Sequence, residues 1–199
     1  MPRPNQSPER RLELVPVLAH TFAEFGYRRT TTAELAERCG VRENILYRLW
    51  PDKRAMFVAT LDYVYQLSEE TWNELLARAD DRVSPAELIL DYESTHQGEF
   101  GLYRIVFAGL SETDDPEIAE AMRRLYGRFQ SFVREQVKAH HDGLAVPAVT
   151  DPGLVAWAIV GLGTVANIGR ELGLLSARAR KRLVGEVGRA LLREWADEG

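Results

Sequence analysis

Apolar residues recur at intervals of three and four along most of this chain, and nowhere do they alternate with period two for long enough to make a convincing sheet strand. Phe57, Leu61, Val64, Trp72, Leu75 and Ala79 mark one long helix, and Ile118, Met122, Leu125, Phe129, Phe132, Val133 and Val137 mark another. Val184, Val187, Leu191 and Trp195 form the stripe of the last. Punctuation agrees with the periodicity. Ser7-Pro8, Ser84-Pro85, Asp115-Pro116 and Asp151-Pro152 each set a capping side chain before a proline, which loses nothing at the first helical position because that N–H has no partner anyway. Glu87 completes a capping box with Ser84. The pattern predicts an all-α fold of about nine helices. Pro16 falls inside the first and should kink it or move its start.

A boundary falls near Pro51, where short helical segments give way to long ones and the charge changes sign. Residues 1–54 hold ten Lys/Arg against seven Asp/Glu, net +3, leaving 15 against 23, net −8, for the remainder. Only the N-terminal quarter suits a polyanion. We therefore expect two domains, residues 1–52 and 53–199. With 45% hydrophobic side chains and a single cysteine, disorder and a disulfide scaffold are both excluded. Cys39 has no partner in the chain, and the N-terminus lacks a charged-then-apolar leader, so the cytoplasm is the expected compartment. The longest uncharged stretch, Pro152 to Gly169, carries Pro152, Thr164, Asn167 and four glycines. It reads as a doubly buried helix rather than a membrane span, covered in part by its own domain and for the rest by another chain.

From Thr30 the chain runs TTTAELAERCGVRENILYRLWPDK. Thr31 with Glu34 makes another capping box, and Gly40 ends the helix in a turn that needs a left-handed residue. A second short helix, about Glu43 to Leu49, turns Ile45 or Leu46, Leu49 and Trp50 inward, and Pro51 stops it. Two short helices across a glycine turn, with small Ala36 where they cross, form a helix-turn-helix. Its second helix would present Arg42, Glu43, Asn44, Tyr47 and Arg48. This geometry fits an αα-hairpin inside a bundle as well as a helix entering the major groove of DNA.

The longer stretch FAEFGYRRTTTAELAERCGVRENILYRLWPDKRAMF resembles the DNA-binding domain of the TetR family of transcriptional repressors, from about Leu14 to Leu61. Phe22 and Gly26-Tyr27 close the first helix, Thr30 to Thr32 open the second, and Ala36 and Gly40-Val41 form the turn. Leu46-Tyr47 sit in the recognition helix, Trp50 replaces a usual Phe, and Lys53 starts the fourth helix. The resemblance implies that Thr31, Tyr47 and Lys53 clamp the DNA backbone while Arg42, Glu43, Asn44 and Arg48 face base edges. Two departures stand out: Arg42 replaces a small capping Ser, and Asn44-Ile45 replaces Gly-Thr or Pro-Thr. Ile45 then either touches a thymine methyl or packs. The resemblance also implies that the last two helices of two subunits form a four-helix bundle, for which Ala156, Gly163, Val184, Val187, Leu191 and Trp195 are suited.

The body gathers Tyr92, His96, Phe100, Tyr103, Phe107, Phe129 and Phe132, with Trp157 in reach, as either a pocket for an apolar or aromatic ligand or a filled core. Family resemblance favours the pocket. The glycine run Gly161 to Ala166 lacks the strand and the βαβ unit of a dinucleotide fingerprint. Glu93-x-x-His96 is one half of a di-iron pattern without its second copy. His140-His141-Asp142 suits a helix C-terminus better than a metal, and Arg178 to Arg182 reads as a solvated helix face. No catalytic set, cofactor or metal is expected. The chain reads as a homodimeric regulator, a repressor that binds double-stranded DNA and a small-molecule effector and touches no membrane. The rival reading is an all-α enzyme or small-molecule carrier with a merely structural N-terminal module.

Overall fold

The computed structural model describes residues 7–78, 83–96, 98, 101–143 and 150–193, and the regular structure among them is helical with no strand. The helices are α1 (Ser7–Phe25), α2 (Thr32–Arg38), α3 (Glu43–Leu49), α4 (Lys53–Ala77), α5 (Pro85–His96), α6 (Tyr103–Leu110), α7 (Pro116–Asp142) and α8 (Pro152–Glu171). The ninth, α9, starts as Ala177–Arg182, passes through a π-helical turn at Leu183–Val187 and finishes as Gly188–Leu192. Ala79, Phe100 and Trp195 lie outside the described residues.

The caps expected at Ser84, Asp115 and Asp151 form, whereas Ser7 is itself the first described residue of α1. Ser84 Oγ accepts from the Glu87 N–H at 3.3 Å, Asp115 Oδ1 accepts from Glu117 at 2.9 Å and Ile118 at 3.2 Å, and Asp151 Oδ1 accepts from Gly153 at 2.7 Å. Each satisfies an N–H that a helix start would otherwise leave unpaired. Pro16 does not move the start of α1, which runs unbroken from Ser7. The carbonyl it deprives of a partner belongs to exposed Leu12, where water can take over.

Two compact units divide the chain: Met1–Ser68 with Phe100–Leu125, and Glu69–Glu99 with Tyr126–Gly199. Helices α4 and α7 run through both. In the first unit Leu18, Phe22, Leu35, Leu46, Phe57, Leu61, Ile105 and Ile118 are fully buried, and Phe57 meets Phe22 edge-on at 5.1 Å. In the second, Leu90, Val137, Ala156, Ala166, Val184 and Leu192 form the core, with Ile159 and Val160 against it.

Helix α8 has two unlike faces. It is buried on one face only, through Val155, Ala156 and Ala166, while Leu154, Trp157, Val165, Ile168 and Leu172 line an outer face open to solvent. By length and composition alone it is also long and apolar enough to cross a membrane.

Helix α9 corrects one expectation, the simple stripe of its apolar residues. Two glycines bring it close to α5: a Cβ at Gly188 would lie 2.6 Å from Leu90 Cδ2, and one at Gly185 would lie 3.4 Å from Ser94 Cβ. The π turn between them holds one residue more than an α turn, so the simple stripe is broken. Val184 and Leu192 point inward while Val187 is exposed.

Candidate nucleic-acid interface

The helix-turn-helix is built by two termini. Thr31 precedes α2 in an extended conformation, and its Oγ1 accepts from the Glu34 N–H at 3.2 Å, leaving the hydroxyl proton free to be donated outward. At the other end Gly40 takes φ +63°, with its N–H on the Glu37 carbonyl and the Val41 N–H on the Ala36 carbonyl, both at 3.0 Å. This is a Schellman motif, and a side chain at position 40 would strain it. The turn aims α3, whose buried Leu46 and Leu49 pack toward α1 and α2 beside buried Leu35 and Ala36.

Burying positions 46 and 49 turns positions 44 and 48 outward, because on a helix they lie on the other face, while Arg42 stands just before the helix as its extended N-cap residue. Arg42, Asn44 and Arg48 are exposed and carry no hydrogen bond or ion pair among the described residues. Ile45 is half-buried, which accords with packing at least in part. Glu43 and Tyr47 are exposed but engaged with α2. The Tyr47 hydroxyl donates to Thr32 Oγ1 at 3.1 Å, and Thr32 donates to Glu43 Oε2 at 2.9 Å. Glu43, expected at base edges, is thus held by the start of α2. Sequence reasoning missed Thr32 as the joint, since its hydroxyl partners come from another helix.

Lys53, expected at a phosphate, is first a structural tie. Its Nζ donates to the carbonyls of Tyr27 and Thr30, both at 3.1 Å, and lies 4.4 Å from the centre of the Tyr27 ring. Burial lowers its pKa from the ordinary lysine value, partly opposed by Glu112. One N–H remains for a phosphate.

Most other cations of this segment are taken. Arg38 pairs with Glu24 at 2.6 Å, Arg10 with Glu13 at 2.6 Å and Arg28 with Glu112 at 2.8 Å. Arg54 meets Glu117 at 2.8 Å, Asp52 at 3.3 Å and Asp115 at 3.5 Å. Arg11 donates to the Leu49 carbonyl at 2.8 Å and Arg29 to that of Phe25 at 3.2 Å. Among the described Lys and Arg of residues 7–54, only Arg42 and Arg48 have no protein partner, and both flank the recognition helix.

Tyr92 and His96 stack at 4.3 Å on α5, Tyr103 and Phe107 meet at 5.8 Å on α6 in the other unit, and Phe129 lies 5.8 Å from Trp72. Trp72, which the sequence assigned to a helix stripe, also packs on Phe132 at 4.9 Å and donates its indole N–H to Glu93 at 2.7 Å. Trp157 is 49% exposed on the outer face of α8 rather than among these rings. Of the residues suited to a subunit seam, Ala156 at 0% and Val184 at 3% exposure face their own core and offer a partner almost nothing. Gly163 and Leu191 are partly exposed. Cys39 is half-buried, and burial raises its thiol pKa. His140 Nδ1 bonds the Ser84 hydroxyl at 2.8 Å, and no cluster among the described residues suits a metal.

Residues 17–60 match the profile of the bacterial regulatory proteins of the tetR family. Relatives include the nucleoid occlusion factor SlmA of Vibrio vulnificus, 27% identical over 128 residues, which span 63% of this chain and 65% of that protein. SlmA of Pasteurella multocida is 30% identical over 61% of this chain and 62% of its own. The fold is also that of Escherichia coli NemR in its reduced form, with a TM-score of 0.75 at 17% identity over 90% of this chain and 96% of that one. A Saccharomonospora viridis protein solved with choline gives a TM-score of 0.75 at 14% identity, covering 90% and 95%.

Proposed function

Because the chain belongs to the TetR family of bacterial regulators, we propose that it is a sequence-specific DNA-binding transcriptional regulator, a repressor that leaves its operator when a small molecule binds the C-terminal domain. The observation that carries this reading is the outward face of α3. Arg42, Asn44 and Arg48 stand there without partners in a segment whose other described cations are all engaged. Arginine suits guanine and Asn suits adenine in the major groove, whereas Thr31, Tyr47 and the remaining N–H of Lys53 suit phosphates.

A second copy supplies the second half-site. The outer face of α8 supports this, because Leu154, Trp157, Val165, Ile168 and Leu172 form an apolar stripe that the chain itself leaves uncovered. The functional division stays at about residue 52, with DNA contact before it and ligand binding and dimerisation after it. Relatives named nucleoid occlusion factors favour a second reading, in which the same reading head serves nucleoid occlusion rather than a promoter.

Selection of bound fragments from genomic DNA tests both. A few fragments upstream of genes support the repressor, and sites dispersed around the chromosome support the second reading. A protein that binds no DNA at low salt, where even non-specific binding should be strong, refutes both.

A further inference from the structure

The basic run Arg178 to Arg182 is solvated, as its sequence predicts, but it also borders a cleft within the second unit. The cleft lies between α5 and α9, has a volume of about 330 Å³ and is lined by charged and hydroxyl side chains alone. Arg189 reaches from α9 to Asp91 on α5, and Arg182 Nε donates to both oxygens of Glu186 at 2.9 and 3.1 Å. Those two pairs are neutral. Arg178 and Lys181 also line the cleft and have no hydrogen bond or ion pair among the described residues, whereas Arg180 turns away to the Leu175 carbonyl at 2.7 Å. Four cations against two carboxylates make the cleft positive, on a body that is acidic as a whole.

The backbone keeps this opening in shape. Gly185 is buried in the π turn, and a Cβ there would lie 3.4 Å from both Ser94 Cβ and Arg189 Nη2, so its bareness leaves clear the space between two lining residues. Arg178, Lys181 and Arg182 are spaced three and four apart, which makes them neighbours on one face of the helix. The Arg182 hydrogen bond, and then the charges of Arg182, Arg189 and Arg178, hold the Glu186 carboxyl below its ordinary pKa against the opposing effect of desolvation. The field of the cleft thus favours negative charge.

A lone carboxylate brings one charge in a planar fork, which a single arginine satisfies. Two unpaired cations call for a dianion, and a phosphate monoester carries roughly −1.5 to −2 at neutral pH on strong acceptor oxygens. The volume is near the lower end of small-molecule sites, and a lining without apolar side chains offers nothing to a hydrocarbon or an aromatic ring. The carboxylates of Asp91 and Glu186 are instead acceptors for hydroxyl groups. We infer that the α5–α9 cleft binds a small phosphorylated polyol or sugar, its phosphate held by Arg178, Lys181 and Arg182 and its hydroxyls donating to Asp91 and Glu186. The site shares no residue with the DNA-reading face and stands or falls without it.

Calorimetry on the full-length protein at about pH 7.5, where the esters are dianions, would compare glycerol 3-phosphate, ribose 5-phosphate and glucose 6-phosphate with glycerol, ribose, glucose and inorganic phosphate. At least one ester should bind about tenfold or more tighter than both its parent alcohol and inorganic phosphate. The double variant Arg178→Gln with Lys181→Gln should weaken that ester by about tenfold or more. It should leave the melting temperature of the free protein unchanged, because neither side chain has a protein partner to lose. The inference is overturned if no ester is preferred over its alcohol, if inorganic phosphate binds as tightly as every ester, or if ester binding survives the double substitution. Should no ester bind while the same variant loses affinity for random DNA at low salt, the basic run belongs to nucleic acid instead.

Discussion

Arg28 Nε donates to both carboxylate oxygens of Glu112, at 2.8 and 2.9 Å, across 84 residues of sequence. The glutamate is nearly buried at the end of α6 while the arginine side chain is well exposed, so the contact joins the turn after α1 to the α6–α7 turn at modest energetic value. Arg54 makes a second joint to the same region through Asp115 and Glu117. Acidic residues of the body thus occupy cations that would otherwise add to the non-specific pull of the N-terminal domain on DNA. Glu112→Gln should therefore cost about 1 kcal/mol of stability or less. It should raise random-DNA affinity at low salt, steepening the salt slope by up to about one ion. Unfolding curves and filter binding over a salt series would check this; a slope that stays flat rejects the occupied-cation account.

Base readers and backbone holders should separate on mutation. Asn44→Ala should cost about 1 to 3 kcal/mol on the operator and little on random DNA, because Asn44 has no intramolecular bond to lose. Tyr47→Phe should weaken all sequences alike and also release Thr32 from one of its two partners. Competition binding against operator variants would measure both, and a change of preferred base in Tyr47→Phe would mean that α3 docks in a different rotation.

Lys53→Ala should act twice. Two carbonyls lose a charged donor, which costs about 1.5 to 3 kcal/mol of folding stability. DNA binding should fall by a similar factor on every sequence, with the salt slope reduced by about one. Denaturant unfolding without DNA isolates the first effect; an unchanged midpoint contradicts the inward tie to Tyr27 and Thr30.

The caps and the glycine turn were legible in the sequence because capping is local: Thr31, Ser84, Asp115 and Asp151 bond within their own first turns. The α3 face was half legible. Its periodicity separates Leu46 and Leu49 from Asn44 and Arg48, but nothing local reveals that Thr32 holds Glu43 or that Lys53 turns onto Tyr27. Helices α8 and α9 were least legible, since an apolar position reads the same whether its own chain or another covers it. Ala156 and Trp157 are sequence neighbours, yet one is sealed in the core and the other is open.

Oligomer mutants should follow that distinction. Ile168→Arg, on the outer face of α8, should give a folded monomer that no longer holds the operator, whereas Val184→Arg should unfold the second unit by placing a charge in its core. Light scattering paired with circular dichroism reads both. A wild-type protein that scatters as a soluble monomer at micromolar concentration would remove the dimer from the account.

Burial raises the Glu93 pKa above the ordinary carboxylate value, with the Trp72 bond and His96 opposing it. The folded state therefore holds that proton more tightly than the unfolded chain, and the contribution of Glu93 to stability falls as pH rises from the unfolded value toward the folded one. Glu93→Gln, which cannot ionise, should gain in melting temperature over the wild type as pH rises from about 4 to 8. A difference independent of pH would show that the carboxyl is not desolvated.

The π turn in α9 makes an unusual prediction about chain length. A turn closed over five residues holds one residue more than an α turn, so removing one shortens the loop of backbone without changing which way the helix faces beyond it. Deleting exposed Glu186 should let Leu183–Val187 relax to ordinary helix while Val184 and Leu192 stay inside, a case in which losing a residue from the middle of a helix is tolerated. A bulkier residue at Gly188, by contrast, must push Leu90 aside. Length is thus more negotiable than volume in this part of the molecule, and natural variants of the helix should differ by single insertions and deletions here before they differ at the glycines.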